Sequence, residues 1–232
     1  MISDDKSMVS AEIVAKAKSL GASLAGIATI ASLECSPSHE KYKNMPWPQG
    51  EKSVLVLALN HEASEPELDW WDGNSGTQGN RRLIDTGQRL AEWLNGEFTV
   101  DAHRLPYHVE RGGIFVKDAA VLAGLGAIGL NNLLVTPEFG PRVRLSALLI
   151  EAQLAPSGAM DFTPCESCDM PCRRVCPQKA FENGSYSRFL CNKQMEIDRV
   201  TAVIPKEETQ NDPPLQCIRY CRACELACPV GS

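Results

Sequence analysis

Cysteine is almost missing from the first 164 residues of this 232-residue chain, where Cys35 stands alone. Aromatic residues are scarce at 6%, so the core must come chiefly from aliphatic side chains. No apolar run is long. The longest aliphatic stretch is Val54 to Leu59, whereas a membrane span needs about 18 such residues. The opening MISDDKSMVS has two aspartates and no apolar segment, so no secretory signal is expected. The arginine pairs Arg81–Arg82 and Arg173–Arg174 lie far from the start, where a twin-arginine signal would sit. Basic charge is not in excess either. Lys and Arg number 23 against 29 Asp and Glu, for a net charge of −6, which argues against a general nucleic-acid binder. The expectation is a cytoplasmic protein with no membrane partner.

What is present is an ordinary globular balance, 44% hydrophobic and 22% charged, enough for one large or two small domains. Ser10 reads as a helix N-cap, followed by Ile13, Val14, Ala17 and Leu20 with helical period and Gly21 as the stop. Ser53 to Leu59 reads as a buried strand. Leu83, Ile84, Leu90, Ala91 and Leu94 mark one face of a helix from Arg81, ended by Gly96. Phe98–His103 reads as a strand and Phe115–Ala123 as a helix. Leu133–Thr136 and Val143–Ala152 read as strands separated by the turn Pro137–Pro141. This alternation indicates an α/β or α+β domain. Pro156 to Pro164 is the linker candidate, dividing the chain into residues 1–157 and 158–232.

The other nine cysteines lie between Cys165 and Cys228. Cys165, Cys168, Cys172 and Cys176-Pro177 form one run; Cys221, Cys224 and Cys228-Pro229 form a second. Both end in the C-x₃-C-P phrase of bacterial [4Fe–4S] ferredoxins. A cubane takes one thiolate per iron, and the last cysteine of each run, in the C-P phrase, typically serves the other cluster. One set is then Cys165, Cys168, Cys172 and Cys228. The other is Cys176, Cys221, Cys224 and either Cys191 or Cys217, which spacing alone does not separate. Cys168 and Cys172 are three residues apart where the commoner phrase has two. Zinc ribbons seldom repeat the C-x₃-C-P phrase, and disulfides need an oxidising compartment that the N-terminus does not support.

Gly124-Leu-Gly126-Ala-Ile-Gly129 matches the dinucleotide fingerprint in form only. A strand should precede it and a helix follow, and here a helix-like segment precedes and a loop into a strand follows. The alternatives are a glycine turn with close backbone packing and a ligand-facing loop of another kind.

Two segments carry a family resemblance. Lys117 to Asn131, continuing through Leu133–Gly140 to Arg144–Ala147, resembles the core of the epoxyqueuosine reductase family, and so does Pro48 to Asn60. The paired cysteine runs fit the same family, and reductive dehalogenases are similar more distantly. The resemblance implies a nitroreductase-like, flavin-free α/β domain of corrinoid-binding type over residues 1–157. A ferredoxin-like domain with two [4Fe–4S] clusters would follow over residues 158–232. It implies Cys191 rather than Cys217 as the remaining ligand. It implies a cobalamin whose cobalt receives electrons through the clusters, with the set containing Cys191 nearer the corrinoid. Gly124, Gly126, Gly129 and Asn131 are then candidate cofactor-binding residues. Glu110 falls at the family's proton-donating aspartate and could do that work if burial raised its pKa; a surface glutamate paired with Arg104 or Arg111 is the plainer reading. Tyr107 and His108 are alternative donors.

The family continues past its second cluster into helical repeats that help hold tRNA, whereas this sequence stops at Ser232. Residues 165–232 balance nine basic against nine acidic side chains, so residues 1–164 hold the whole −6. The expected function is therefore an iron–sulfur oxidoreductase passing single electrons to the cobalt of a corrinoid, either bound cobalamin or one carried by a partner corrinoid protein. Ferredoxin or flavodoxin is the expected donor, and nucleic acid is not an expected partner. The alternatives are an epoxyqueuosine reductase acting on tRNA and a ferredoxin-like electron carrier without its own catalysis.

Overall fold

The computed structural model describes residues 2–42, 46–72, 76–182, 184–201, 204–205 and 216–231. The chain opens with α1 (Ile2–Ser19), β1 (Leu24–Thr29) and two short helices, α2 (Ile30–Glu34) and α3 (Pro37–Lys41). β2 (Ser53–Asn60) and the long α4 (Gln78–Phe98) follow, then β3 (Ala102–Arg104) and α5 (Val116–Leu122). The strands β4 (Ala127–Ile128), β5 (Leu134–Val135) and β6 (Val143–Ile150) come next. The cysteine-rich part holds α6 (Pro171–Arg174), α7 (Arg188–Thr201), β7 (Ile204–Pro205), β8 (Gln216–Cys217) and α8 (Ala223–Leu226).

Four strands form one sheet in the order β1–β2–β6–β3, antiparallel at every pairing. β2 lies inside it, and its side chains alternate between two cores. Val54, Val56 and Ala58 meet Ala119, Ala120 and Ala123 of α5 and Ile30 and Leu33 of α2. Leu55, Leu57 and Leu59 meet Ile13 and Ala17 of α1 and Leu83, Leu90 and Leu94 of α4. Burial on both faces explains why this strand reads as an unbroken aliphatic run rather than an alternating one. Each leucine so buried contributes about 1.5–3 kcal/mol. The result is a sheet with helices on both faces, a mixed helix and strand fold as the alternation implied.

Several local expectations change. Ser10 does not cap a helix; it lies inside α1, where its Oγ donates to the Lys6 carbonyl at 2.9 Å. α4 runs through Gly96 and stops at Thr99, which adopts φ 55°. Phe98 therefore belongs to the helix, packed edge-on against Trp93, and β3 starts only at Ala102. The amphipathic period had already shown the helix face; a solvent-side glycine costs a helix only about 1 kcal/mol and does not end it. β1 and α7 are elements that the sequence reading did not propose.

The glycine motif lacks the strand-before, helix-after context of the dinucleotide fingerprint. Helix α5 precedes it, and its Ala127–Ile128 is strand β4, paired with Leu134–Val135. The linker candidate is fastened to the sheet: Ser157 N–H donates to the Ile27 carbonyl at 2.8 Å, and Ile27 N–H donates to Ser157 Oγ at 2.9 Å. Trp71 and Ile218 exchange backbone hydrogen bonds at 2.9 and 2.7 Å, joining β8's segment to the other part of the chain. Among the described residues, no helix is long and apolar enough to cross a membrane.

Gly26 sets how closely α5 approaches β1. A Cβ at this position would stand 2.2 Å from the Ala123 carbonyl oxygen. Gly26→Ala should therefore force the two apart, lowering unfolding stability by about 1–3 kcal/mol in a denaturant titration.

Candidate metal centre

The chain order of the cysteines is not their spatial order. The Cys172 thiol is pushed above its ordinary value by burial, and then by Cys228, Cys165 and Cys168. The Cys228 thiol is raised by burial and by Cys165 and Cys168 in turn. These four thiols thus lie near enough to act on one another, although Cys228 is in the second run. The other run shows the mirror arrangement. Burial pushes Cys224 up to about 12, with Cys221, Cys191 and Cys176 adding to it. Cys221 is raised by burial and by Cys176 and Cys191. Cys217 stands in neither group; it is buried in β8, paired through its backbone with Ile204. Cys35 is exposed at the end of α2.

Two physical demands oppose each other here. Thiolates crowded together repel, and burial favours the neutral thiol. Backbone N–H groups pull the other way. Leu130 N–H donates to Cys165 Sγ and Met170 N–H to Cys168 Sγ, both at 3.4 Å. Ala180 N–H reaches Cys176 Sγ at 3.3 Å. The N–H groups of Arg173, Ala223 and Val230 do the same for Cys172, Cys221 and Cys228. Tyr186, raised by burial, is hydrogen-bonded to Cys191. Such a shell suits sulfur that carries charge, as a cluster's thiolates do. Among the described residues, no three His, Cys, Asp or Glu side chains converge on a single ion position. All-thiol donors, interleaved loops and amide donors fit a multi-iron cluster.

The loop between Cys221 and Cys224 is anchored from outside. Arg222 binds the carboxylate of Asp69, donates to the His61 carbonyl at 2.8 Å and pairs with Glu225. Asp69 also binds Arg144 of β6 and accepts from His61 Nδ1 at 2.8 Å. Burial raises the Asp69 pKa, but the His61 hydrogen bond and the charges of Arg144 and Arg222 outweigh it, leaving it below 3.8. Sequence reasoning missed this cluster. Arg144 and Arg222 are far in the chain from His61 and Asp69, and no spacing rule links them.

The glycine loop adjoins the first thiol group. Gly126 has φ 156°, and a Cβ there would stand 2.1 Å from the Val135 carbonyl oxygen. A Cβ on Gly124 would meet the Gly158 carbonyl at 2.4 Å. A Cβ on Gly129 would lie 2.8 Å from Asn131 Oδ1 and 3.6 Å from Cys165 Sγ. Close packing thus accounts for all three glycines. Lys117, its pKa lowered mainly by burial, donates to the Asn132 carbonyl at 2.6 Å and clamps the loop. The loop leans on Cys165, which belongs to the set expected to be farther from a corrinoid. Glu110 does not occupy a buried setting. It is exposed on a 3₁₀ turn, Val109–Arg111, with no ion pair to Arg104 or Arg111 among the described residues. Tyr107 and His108 are exposed beside it, their rings 5.4 Å apart.

No protein-family model matches the chain. It is 35% identical to a tetrachloroethene reductive dehalogenase of Desulfitobacterium hafniense over 180 residues, which is 74% of this chain and 30% of the relative. It is 29% identical to an epoxyqueuosine reductase of Lactococcus garvieae over 191 residues, 77% of this chain and 51% of that one. A solved epoxyqueuosine reductase with an epoxyqueuosine-modified tRNA stem loop superposes with a TM-score of 0.62 at 17% identity. That superposition covers 97% of this chain and 65% of the other. The resemblance read from the sequence holds in both sequence and fold. The chain spans about a third to a half of the lengths of these curated relatives.

Asp69 has a depressed folded-state pKa, so its stabilisation is full above its ordinary value of 3.8 and is lost as pH falls through the lower folded value. Asp69→Asn leaves two arginines without their shared counter-charge and should cost about 3–5 kcal/mol at neutral pH. Thermal melts from pH 6 to 3 should show the parent approaching the variant as acid increases.

Proposed function

We propose that this chain, sharing the fold of epoxyqueuosine reductases and sequence likeness with reductive dehalogenases, is an iron–sulfur oxidoreductase that delivers single electrons to a corrinoid cobalt. The observation that carries the reading is the crossing of the thiol sets. Cys165, Cys168, Cys172 and Cys228 hold one [4Fe–4S] cluster; Cys176, Cys191, Cys221 and Cys224 hold the other. Crossed sets are what a two-cluster ferredoxin arrangement needs and what two independent zinc ribbons do not. When bound, the clusters supply a one-electron relay and the corrinoid supplies the cobalt that is reduced.

The residues of the chain do the rest. Amide donors at the sulfurs favour the more negatively charged, reduced state. Asp69, through Arg222, holds the Cys221–Cys224 loop against the sheet. Residues 158–232 form the ferredoxin-like part, and residues 1–157 the nitroreductase-like part, whose glycine loop, Gly124 to Asn131, lies against Cys165 of the first cluster. The donor is a ferredoxin or flavodoxin, and the corrinoid is cobalamin or the group of a partner corrinoid protein. Reduced, closely spaced thiols suit the cytoplasm.

A second reading follows from Glu110. Glu110 is exposed on its 3₁₀ turn rather than enclosed in a site, which favours an electron carrier without its own catalysis. The tRNA reading rests on the epoxyqueuosine reductase likeness.

Anaerobic reconstitution should give about eight irons per chain and broad visible absorption. Cys228→Ser should reduce this to about four, because only the second set keeps its ligands. Reduction of added cob(II)alamin or of a corrinoid protein, followed by its absorption change, supports the corrinoid reading. Turnover of epoxyqueuosine-containing tRNA would replace it. Electron exchange with ferredoxin alone would leave the carrier. Bound zinc without iron would overturn all three.

A further inference from the structure

The turn from Gly129 to Leu133 has almost every polar group engaged. Asn132 N–H donates to the Gly129 carbonyl and Gly129 N–H to the Leu133 carbonyl, each at 2.9 Å. Leu130 N–H goes to Cys165 Sγ, and the Asn132 carbonyl takes the Lys117 ammonium. Asn132 itself adopts φ 61°, a left-handed conformation that asparagine tolerates. One group is left over. Asn131 is only 3% exposed, and its side-chain Nδ2 is buried with no hydrogen-bond partner.

The orientation of that amide is fixed. Its Oδ1 accepts the Leu133 N–H at 3.2 Å, and a flipped amide would set donor against donor. The NH₂ group is therefore a true donor without an acceptor, which destabilises a buried site if nothing satisfies it. Its surroundings name the missing partner. Asn131 Oδ1 and Cys165 Sγ border the same point beside Gly129, at 2.8 and 3.6 Å from where a Cβ would be. Any larger residue at 129 would fill this space. Cys165 already receives one N–H from this turn, and Asn131 Nδ2 makes no bond to it, so the acceptor left for that donor is a sulfide of the cluster Cys165 holds.

We propose that the side-chain amide of Asn131 donates a hydrogen bond to an inorganic sulfide of the first cluster, beside Cys165, and so sets that cluster's reduction potential. The inference rests on the cluster reading above and gives the glycine loop a task in it. Reduction adds one negative charge to the cluster. A donor at sulfur stabilises that added charge, so it favours the reduced state. Asn131 is a tuning residue and takes no part in bond making.

Asn131→Leu tests this, because it is close in size and removes the donor without adding a charge beside the cluster. The chain is reconstituted with iron and sulfide and titrated under EPR. At a fixed applied potential, the reduced-to-oxidised ratio of one cluster should fall about tenfold or more. The other cluster should keep its midpoint. Iron content should stay at about eight per chain. Two clusters with unchanged midpoints would overturn the inference and leave the cluster reading intact. A parent chain that assembles no cluster would overturn both. If the variant does not assemble, the parent chain decides. It is labelled with ¹⁵N in asparagine side chains and studied by pulsed EPR of its reduced clusters. A ¹⁵N coupling that vanishes in Cys228→Ser supports the inference; a coupling that persists there, or none at all, overturns it.

Discussion

One buried carboxylate, Asp69, is bound by arginines from two distant parts of the chain. Arg144 comes from β6 at the centre of the sheet, and Arg222 comes from between two cysteines of the second run. His61 completes the ring of donors from the end of β2. A single negative charge among so many donors is tolerable in a buried site only because each partner is in place. The sheet and the cysteine loops therefore cannot shift independently. The thiol groups inherit their positions from this junction. A second junction, where Arg142 reaches the Val230 carbonyl at 2.9 Å, secures the stretch after Cys228.

The sheet supplies the rigid half of this arrangement. β2 is buried on both faces, and its register against β1 and β6 is fixed because a slip of one residue would exchange its two cores. From that frame the glycine loop projects with little freedom, since backbone oxygens occupy the spaces where side chains would be. The same economy appears at Gly140, where a Cβ would stand 2.0 Å from the Val230 carbonyl. Glycines here are sites of contact between the two cysteine-rich runs and the sheet, not hinges.

Much of this was legible in the sequence. β2 and α5 were visible because apolar runs and periods report burial directly. The two cysteine runs were legible because iron–sulfur ligation ties spacing to chemistry, whereas the choice of Cys191 over Cys217 came from the family resemblance alone. What remained hidden has a common cause. Helix ends were misjudged at Ser10 and Gly96 because capping preference is worth about 1 kcal/mol and packing overrides it. The antiparallel order of the sheet was not readable, since pairing between β2 and β6 joins residues far apart in sequence. The Asp69 cluster was invisible for the same reason. Glu110 was placed by likeness to a motif, and likeness carries position along the chain without carrying burial.

The meeting of Cys228 with Cys165 closes a segment of about sixty residues, and a flexible loop of that length costs entropy to close. A metal cluster that joined these ends would act as a cross-link on the unfolded chain as well as a redox group. Because the first set straddles the second in sequence, the two closures are nested rather than separate. Filling either site shortens the search for the other. Cofactor loading and folding of this part of the chain would then be one thermodynamic event, with metal supply acting as its switch.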